Sequence, residues 1–326
     1  MKGNNILNFT QFKNGITQGE EYSVYLLEGE DAYFRERGLA LIKDTFLTEP
    51  SINMAVFTSD NLNYEDFISS IYSYPLMSKK RVTIIREFYP KSEAVTGEFK
   101  NFLDNPPKED VLVIVNEKSH DLFKKYSSVC FVDCSKADPA VIARWIKAKL
   151  STNNIEIDFE TAGILRDYCL SDMTRIENET EKLISYLKSG TVTKDIIDNT
   201  VTRSTEYKVY EMTDYLGKKR VDMALSVIKD MLGKGETPSL IISSIYNYFR
   251  RLLHTAISGK STEELAKFFN VKEYAVTKLI SQSKMFKKKK LKRAVDYLVD
   301  ADYKIKSGKM NDFEAMWLVV FKILTE

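Results

Sequence analysis

The sequence is poor in the residues that covalent catalysis and metal binding draw on. Only two histidines, His120 and His254, stand among its 326 residues. They lie in separate contexts with no second metal-ligand type at helical spacing, and neither is assigned a role. Three cysteines, Cys130, Cys134 and Cys169, make an odd count with no CxxC spacing. That argues against a disulfide framework and against zinc, and fits a reducing compartment. Long apolar runs are also missing. No uninterrupted run, Val111 to Val115 included, comes near the length needed to cross a bilayer. Met1-Lys2-Gly3-Asn4-Asn5 lacks the charged-then-apolar pattern of a signal peptide. A strong overall field is absent too: the formal net charge is +2, so affinity for nucleic acid has to come from local patches. The expectation is a cytoplasmic protein with no membrane partner.

What remains is ordinary globular material, 44% hydrophobic and 29% charged, in a chain long enough for two or three domains. After a mixed start at Ile6-Leu7-Asn8-Phe9, a strand over Ser23–Leu27 is followed by a Gly turn and a helix over Tyr33–Phe46. That is the opening of a βαβ unit. Further strands are predicted at 54–57, 82–85, 111–115 and 129–132, with helices over 64–74 and 94–103 between them. Five short apolar strands alternating with helices describe a parallel α/β domain within the first 135 residues. Val111 to Val115 shows no alternation, as a strand buried on both faces should.

Beyond Cys134 no convincing strand is predicted. Asp138-Pro139 is an N-cap followed by a first-turn proline, opening a helix over 140–150. Helices at 162–168, from about 173 to Gly190, and at 193–198 complete a small unit over roughly 136–204. The remainder reads as helices at 207–217, 219–233, 238–258, 262–269, 271–283, 287–306 and 311–325. The helix after Thr237-Pro238 carries a stripe of Ile241, Ile245, Tyr248 and Leu252.

An α/β domain followed by helices invites comparison with an ATPase, and the phosphate chemistry is wanting. After the first strand, Glu28-Gly29-Glu30-Asp31-Ala32-Tyr33-Phe34 has one glycine, no Lys-Ser/Thr pair, and three carboxylates that would repel a triphosphate. Asn116-Glu117 stands where an acidic pair for the metal-bound water would sit, and Glu117 alone reads as a solvated loop residue. There is no GxSxG elbow, no HExxH, and no histidine set beside a nucleophile. No catalytic, cofactor-binding or metal-binding residue is assigned, and no cofactor is expected.

Two stretches carry other chemistry. Pro75-Leu76-Met77-Ser78-Lys79-Lys80-Arg81 joins an amphipathic helix to an apolar strand through two apolar residues between a proline and three cations. Local chemistry favours Leu76 and Met77 as a cap on the core, with an exposed plug for a partner's pocket as the alternative. The second stretch is Lys284 to Arg293, with seven cations and no acid in ten residues. It is either a solvated helix start or a phosphate-binding surface. Lys218-Lys219-Arg220 and Arg250-Arg251 lie in the same C-terminal region. Candidate DNA contacts are Tyr274, Lys278, Lys287 and Lys288, with Tyr274 able to stack on an unpaired base.

Taken together, these segments resemble the delta subunit of bacterial DNA polymerase III, a sliding-clamp loader component. The resemblance spans nearly all of residues 20–326. Its marks are Tyr25-Leu-Leu-Glu-Gly-Glu-Asp-Ala-Tyr33, the Pro75–Arg81 stretch, Val111–Val115, Asp172–Leu183, Gly235-Glu-Thr-Pro238 and Ala301–Gly308. It implies a multi-domain α/β plus all-α protein: a degenerate AAA+ (RecA-like) parallel-sheet domain over 1–135 that lacks a P-loop and binds the clamp, a helical lid over 136–204, and a helical collar for oligomerisation over 205–326. It implies a non-catalytic subunit, although the family is conventionally classed with DNA-directed DNA polymerase. The implied partners are the sliding clamp (beta subunit), the loader's ATPase and delta-prime-like subunits, and primer–template DNA within the complex. The apolar pair that holds the clamp falls on Leu76 and Met77, where family members often have Leu-Phe; methionine can fill an aromatic-shaped pocket, though less rigidly. Two rivals stand beside this reading, a stand-alone nucleic-acid-binding adaptor using the 284–293 patch and a divergent NTPase.

Overall fold

Strands with no polar alternation have to be covered on both faces, and two of the predicted strands occupy such positions. In the computed structural model, which describes residues 6–271 and 273–325, every residue of β2 (Val24–Glu28) and β5 (Asp110–Asn116) is buried. They pair in parallel register, Val24 beside Leu112 through Glu28 beside Asn116. With β1 (Ile6–Asn8), β3 (Met54–Thr58), β4 (Arg81–Arg86) and β6 (Val129–Asp133) they form one parallel sheet ordered β1-β6-β2-β5-β4-β3.

Five of the six strands were expected. The sixth, β1, is a correction to the reading of the first twenty residues as a mixed start. Ile6 to Asn8 pairs with Phe131 to Asp133 at the sheet edge. Asn8 then caps α1 (Phe9–Thr17) in a reciprocal box with Gln11, both hydrogen bonds 3.0 Å long. Three residues are too few to show an alternation, and Phe12 and Ile16 bury the helix behind them.

The remaining elements of this unit, Met1–Asp138, are α2 (Ala32–Phe46), the single turn α3 (Pro50–Asn53), α4 (Tyr64–Ile71) and α5 (Gly97–Asp104). Asp31 caps α2 by accepting from Tyr33 N–H at 3.0 Å, and Phe34, Leu39, Ile42 and Phe46 bury its inner face. Phe67, Phe88, Phe99, Phe102 and Phe123 fill the core beneath α4 and α5. α4 ends at Ile71, three residues before the predicted end, and α5 begins at Gly97 rather than at residue 94. Residues 72–80 are therefore loop.

The second unit, Pro139–Glu326, is helical. It contains α6 (Pro139–Ser151), α7 (Phe159–Tyr168), α8 (Met173–Leu187), α9 (Lys194–Thr200), α10 (Thr205–Gly217), α11 (Val221–Gly233), α12 (Pro238–Ile257), α13 (Thr262–Phe269), α14 (Glu273–Ser283), α15 (Lys288–Lys306) and α16 (Asp312–Thr325). The expectation of no strand beyond Cys134 needs a second correction. Ile155–Glu156 and Gly190–Thr191 form a two-residue parallel ladder, too short for any sequence period. Within the unit α12 is central and packs against α10, α14, α15 and α16. Its Ile241, Ile245 and Leu252 are buried as the stripe predicts, and Tyr248 donates its hydroxyl to Gln282 Oε1 at 2.7 Å.

The stretches 136–204 and 205–326 make direct contacts inside this unit. Asp167 pairs with Lys278 at 2.9 Å, the Tyr168 and Tyr207 rings lie 4.9 Å apart, and Ser204 N–H donates to the Tyr168 carbonyl at 3.0 Å.

Candidate functional site

A helix that stops at Ile71 and a strand that starts at Arg81 leave a loop at the N-terminal end of β4, and its tip carries the apolar pair. Leu76 is 62% exposed and Met77 92% exposed. The core-cap reading of these two residues is thereby overturned. Tyr74, 82% exposed, stands beside them. Met77 has φ +55, in the left-handed region that costs a non-glycine residue about 1–2 kcal/mol.

The loop is nevertheless tied down. Asn53, wholly buried, accepts from Leu76 N–H through Oδ1 at 2.7 Å and donates through Nδ2 to the Leu76 carbonyl at 2.8 Å. One side chain thus satisfies both backbone groups of Leu76, as a neighbouring strand would. On the far side, Ser78 Oγ donates to the Lys80 carbonyl at 3.0 Å. Lys80 pairs with Glu21 at 2.8 Å and lies over the Phe46 ring at 4.8 Å. Arg81 donates to the Ile52 carbonyl at 2.9 Å. The backbone is held from both ends while two apolar side chains face solvent, an arrangement suited to insertion into a pocket.

Next to the loop, α4 and α5 border an open cavity of about 570 Å³ lined by Tyr64, Glu65, Ile68, Ser69, Tyr72 and Glu98. Burial, then the Glu98 carboxylate, push the Tyr64 and Tyr72 hydroxyls up, so both rings stay neutral. Tyr72 donates to the Glu98 carbonyl at 2.9 Å.

The place of a phosphate loop, after β2, is built differently. Its three carboxylates are all occupied rather than facing open space. Glu28, 3% exposed, accepts from His120 N–H at 2.7 Å and Ser119 Oγ at 3.1 Å, and pairs with Lys124 at 2.6 Å. Glu30 reaches Lys136 at 3.6 Å, and Asp31 caps α2. The backbone itself closes the space. A Cβ on Gly29 would lie 2.1 Å from the Cys134 carbonyl carbon, and Cys134 N–H donates to the Glu28 carbonyl at 2.7 Å. Asn116 turns its amide to the backbone of Phe88, accepting at 2.9 Å and donating at 3.0 Å. Among the described residues no cluster of three metal-ligating side chains occurs.

The candidate DNA contacts do not gather in one place. Lys278 is engaged by Asp167 and lies 5.5 Å over the Tyr210 ring. Lys287 and Lys288 are exposed at the start of α15. Tyr274 is on α14, and its side chain lies outside the described residues. Asn53 was missed by sequence reasoning, because a lone asparagine in a Pro-led turn looks like any spacer.

Comparison with known proteins bears on both units. Residues 25–135 match the family described as DNA polymerase III, delta subunit, and residues 206–323 match that described as DNA polymerase III delta subunit, C-terminal domain. The DNA polymerase III subunit delta of Bacillus subtilis (strain 168) is 21% identical over 331 residues, covering 95% of each chain. The probable delta subunit of Aquifex aeolicus (strain VF5) is 21% identical over 280 residues, covering 78% of this chain and 77% of that one. The solved Bacillus subtilis DNA clamp loader delta protein (YqeN) superposes with a TM-score of 0.82 at 20% identity, over 98% of this chain and 100% of that one, which shows a shared fold. Two matches to one subunit, one in each compact unit and together covering most of the sequence, place the chain in the DNA polymerase III delta subunit family.

Proposed function

We propose that this clamp-loader delta subunit binds the sliding clamp through Leu76 and Met77 and favours its open form, without hydrolysing ATP itself. The observation that carries the reading is the pair's exposure on a loop whose backbone is pinned by the buried Asn53. A folded protein has little reason to hold a bulky apolar tip rigidly in water unless the tip is buried elsewhere. Burying both side chains contributes on the order of 3–5 kcal/mol before association costs. A ring that opens and closes is shifted only by differential affinity for its open state, so the subunit acts as a ligand of that state.

The closed backbone after β2 supports a non-catalytic role, since Gly29 abuts Cys134 where a triphosphate needs free amides. In this reading residues 1–135 engage the clamp, 136–204 serve as lid and 205–326 as collar. The ATPase and delta-prime-like subunits and primer–template DNA complete the assembly.

The test is capture of the host's clamp by wild type and by Leu76→Ala/Met77→Ala. The variant is expected to bind at least about tenfold more weakly, a loss of about 1.4 kcal/mol, with an unchanged melting temperature. Undiminished capture by a folded variant sinks the proposal.

A further inference from the structure

Met77 is set apart from the other methionines by what surrounds its sulfur. Among the described residues, Met173, Met212, Met231 and Met316 are buried, Met54, Met223 and Met310 are half-buried, and Met285 is 37% exposed. Met77 is 92% exposed, at the tip of a loop whose backbone is held where Asn53 grips Leu76. A thioether is oxidised when an oxidant can reach it, so access ranks these residues, and Met77 stands first.

The side chains that ordinarily consume an oxidant before methionine are out of reach. Peroxides attack thiolates that solvent can touch, and Cys130, Cys134 and Cys169 are all buried. Burial pushes the Cys130 and Cys169 thiols up to about 12 and raises the Cys134 thiol as well, so none is a thiolate near neutral pH. The exposed thioether at the loop tip is therefore the open sulfur of this chain.

We propose that Met77 is a modification site, at which a peroxide converts the thioether to a sulfoxide and so blunts the apolar tip. The sulfur forms a bond to one peroxide oxygen as the O–O bond breaks. The other oxygen leaves as hydroxide and takes the proton from the transferred one, giving water. The sulfur gives up an electron pair, and the peroxide is reduced by it. The product carries a polar S–O group where a partner's pocket takes an apolar side chain, and a polar group buried without a hydrogen bond is unfavourable. The fold is untouched by the change, because the Met77 side chain faces water and the loop is pinned through the backbone of Leu76. Enzymatic reduction of the sulfoxide restores the thioether, so the change is reversible. A leucine or phenylalanine at the tip could not be switched in this way. The site stands on exposure; its effect on clamp capture rests on the reading of Leu76 and Met77 as the clamp-binding pair.

To test it, the full chain is treated with hydrogen peroxide, the peroxide is removed with catalase, and each methionine-containing peptide is scored by mass for the gain of one oxygen before the host's clamp is added. Met77 is expected to oxidise ahead of Met285 and long before the buried methionines. Clamp capture should then fall about fivefold or more, with an unchanged melting temperature. Methionine sulfoxide reductases acting on both sulfoxide epimers should restore it. Met77→Leu, whatever its own affinity, should capture the clamp equally before and after peroxide. Three results overturn the proposal: oxidation of Met77 no faster than that of Met173 and Met316, undiminished capture once Met77 is fully oxidised, or an equal loss of capture in peroxide-treated Met77→Leu. The mass measurement needs no clamp, so failure of the Leu76–Met77 reading shows separately, as undiminished capture by untreated Leu76→Ala/Met77→Ala.

Discussion

Met77 sits in a backbone conformation that a glycine would occupy at less cost, on a loop where its side chain touches almost nothing. Strain of this kind persists where the surrounding structure enforces it, and it is concentrated at functional positions. Met77→Gly separates the two explanations for the residue. Relief of the left-handed strain and the added freedom of the unfolded chain nearly cancel, so unfolding free energy should stay within about 1 kcal/mol of wild type. Clamp capture should nonetheless fall, because half of the apolar plug is gone. A variant that captures the clamp normally would remove Met77 from the interface and leave Leu76 alone.

Asp110 opens β5 with one carboxylate oxygen buried and unpartnered. Burial first, then the Glu109 carboxylate, push its pKa up to about 6, against the pull of Arg81. The folded state therefore holds this proton more tightly than the unfolded chain does. The charged form costs stability, a cost absent near pH 4 that grows as pH rises through 6. Asp110→Asn should raise unfolding free energy by about 1 kcal/mol at pH 7.5, after discounting for solvent screening. At pH 4 it should change it little. Urea melts at the two pH values check the sign, and equal effects at both would contradict it.

At the scale of elements, the legible parts are those long enough to show a period. The strands at 24–28 and 110–116 and the stripe on α12 fall where the pattern puts them. β1 and the Ile155–Gly190 ladder were invisible, because two or three residues carry no period and their pairing comes entirely from distant partners. Tertiary contact also decided how the helices group. Residues 201–204 join α9 to α10, yet Val201 and Ser204 are buried there and Arg203 is held by Asp198 at 2.9 Å and Glu211 at 3.1 Å. The stretch 135–138 is half-buried to exposed, and Lys136 has a 3.6 Å pair with Glu30. Brief trypsin digestion is expected to cut after Lys136 before Arg203, read by intact-fragment mass. First cleavage after Arg203 would mean that the helices before and after it part more easily than their contacts indicate.

For the whole molecule, the question is what a parallel α/β unit does when the loop after its central strand β2 is closed. Gly29 against Cys134, with Glu28 turned to His120 and Lys124, leaves the loop after β2 folded on its own chain. Equilibrium dialysis against labelled ATP with magnesium should therefore show no bound nucleotide on the isolated chain. Saturable binding would favour the divergent NTPase.

The sequence by itself determined the α/β-then-helical order, the missing phosphate signature and the place of Leu76 and Met77 between a helix and a strand. All of these are local patterns of polarity and residue type. Only the tertiary structure decided that the pair faces water, because Asn53 holds Leu76 from 23 residues away. It also brought Gly217 against Met285, two residues that the sequence keeps 68 positions apart. Contacts across such separations depend on how whole elements pack, and no window of neighbouring residues contains them.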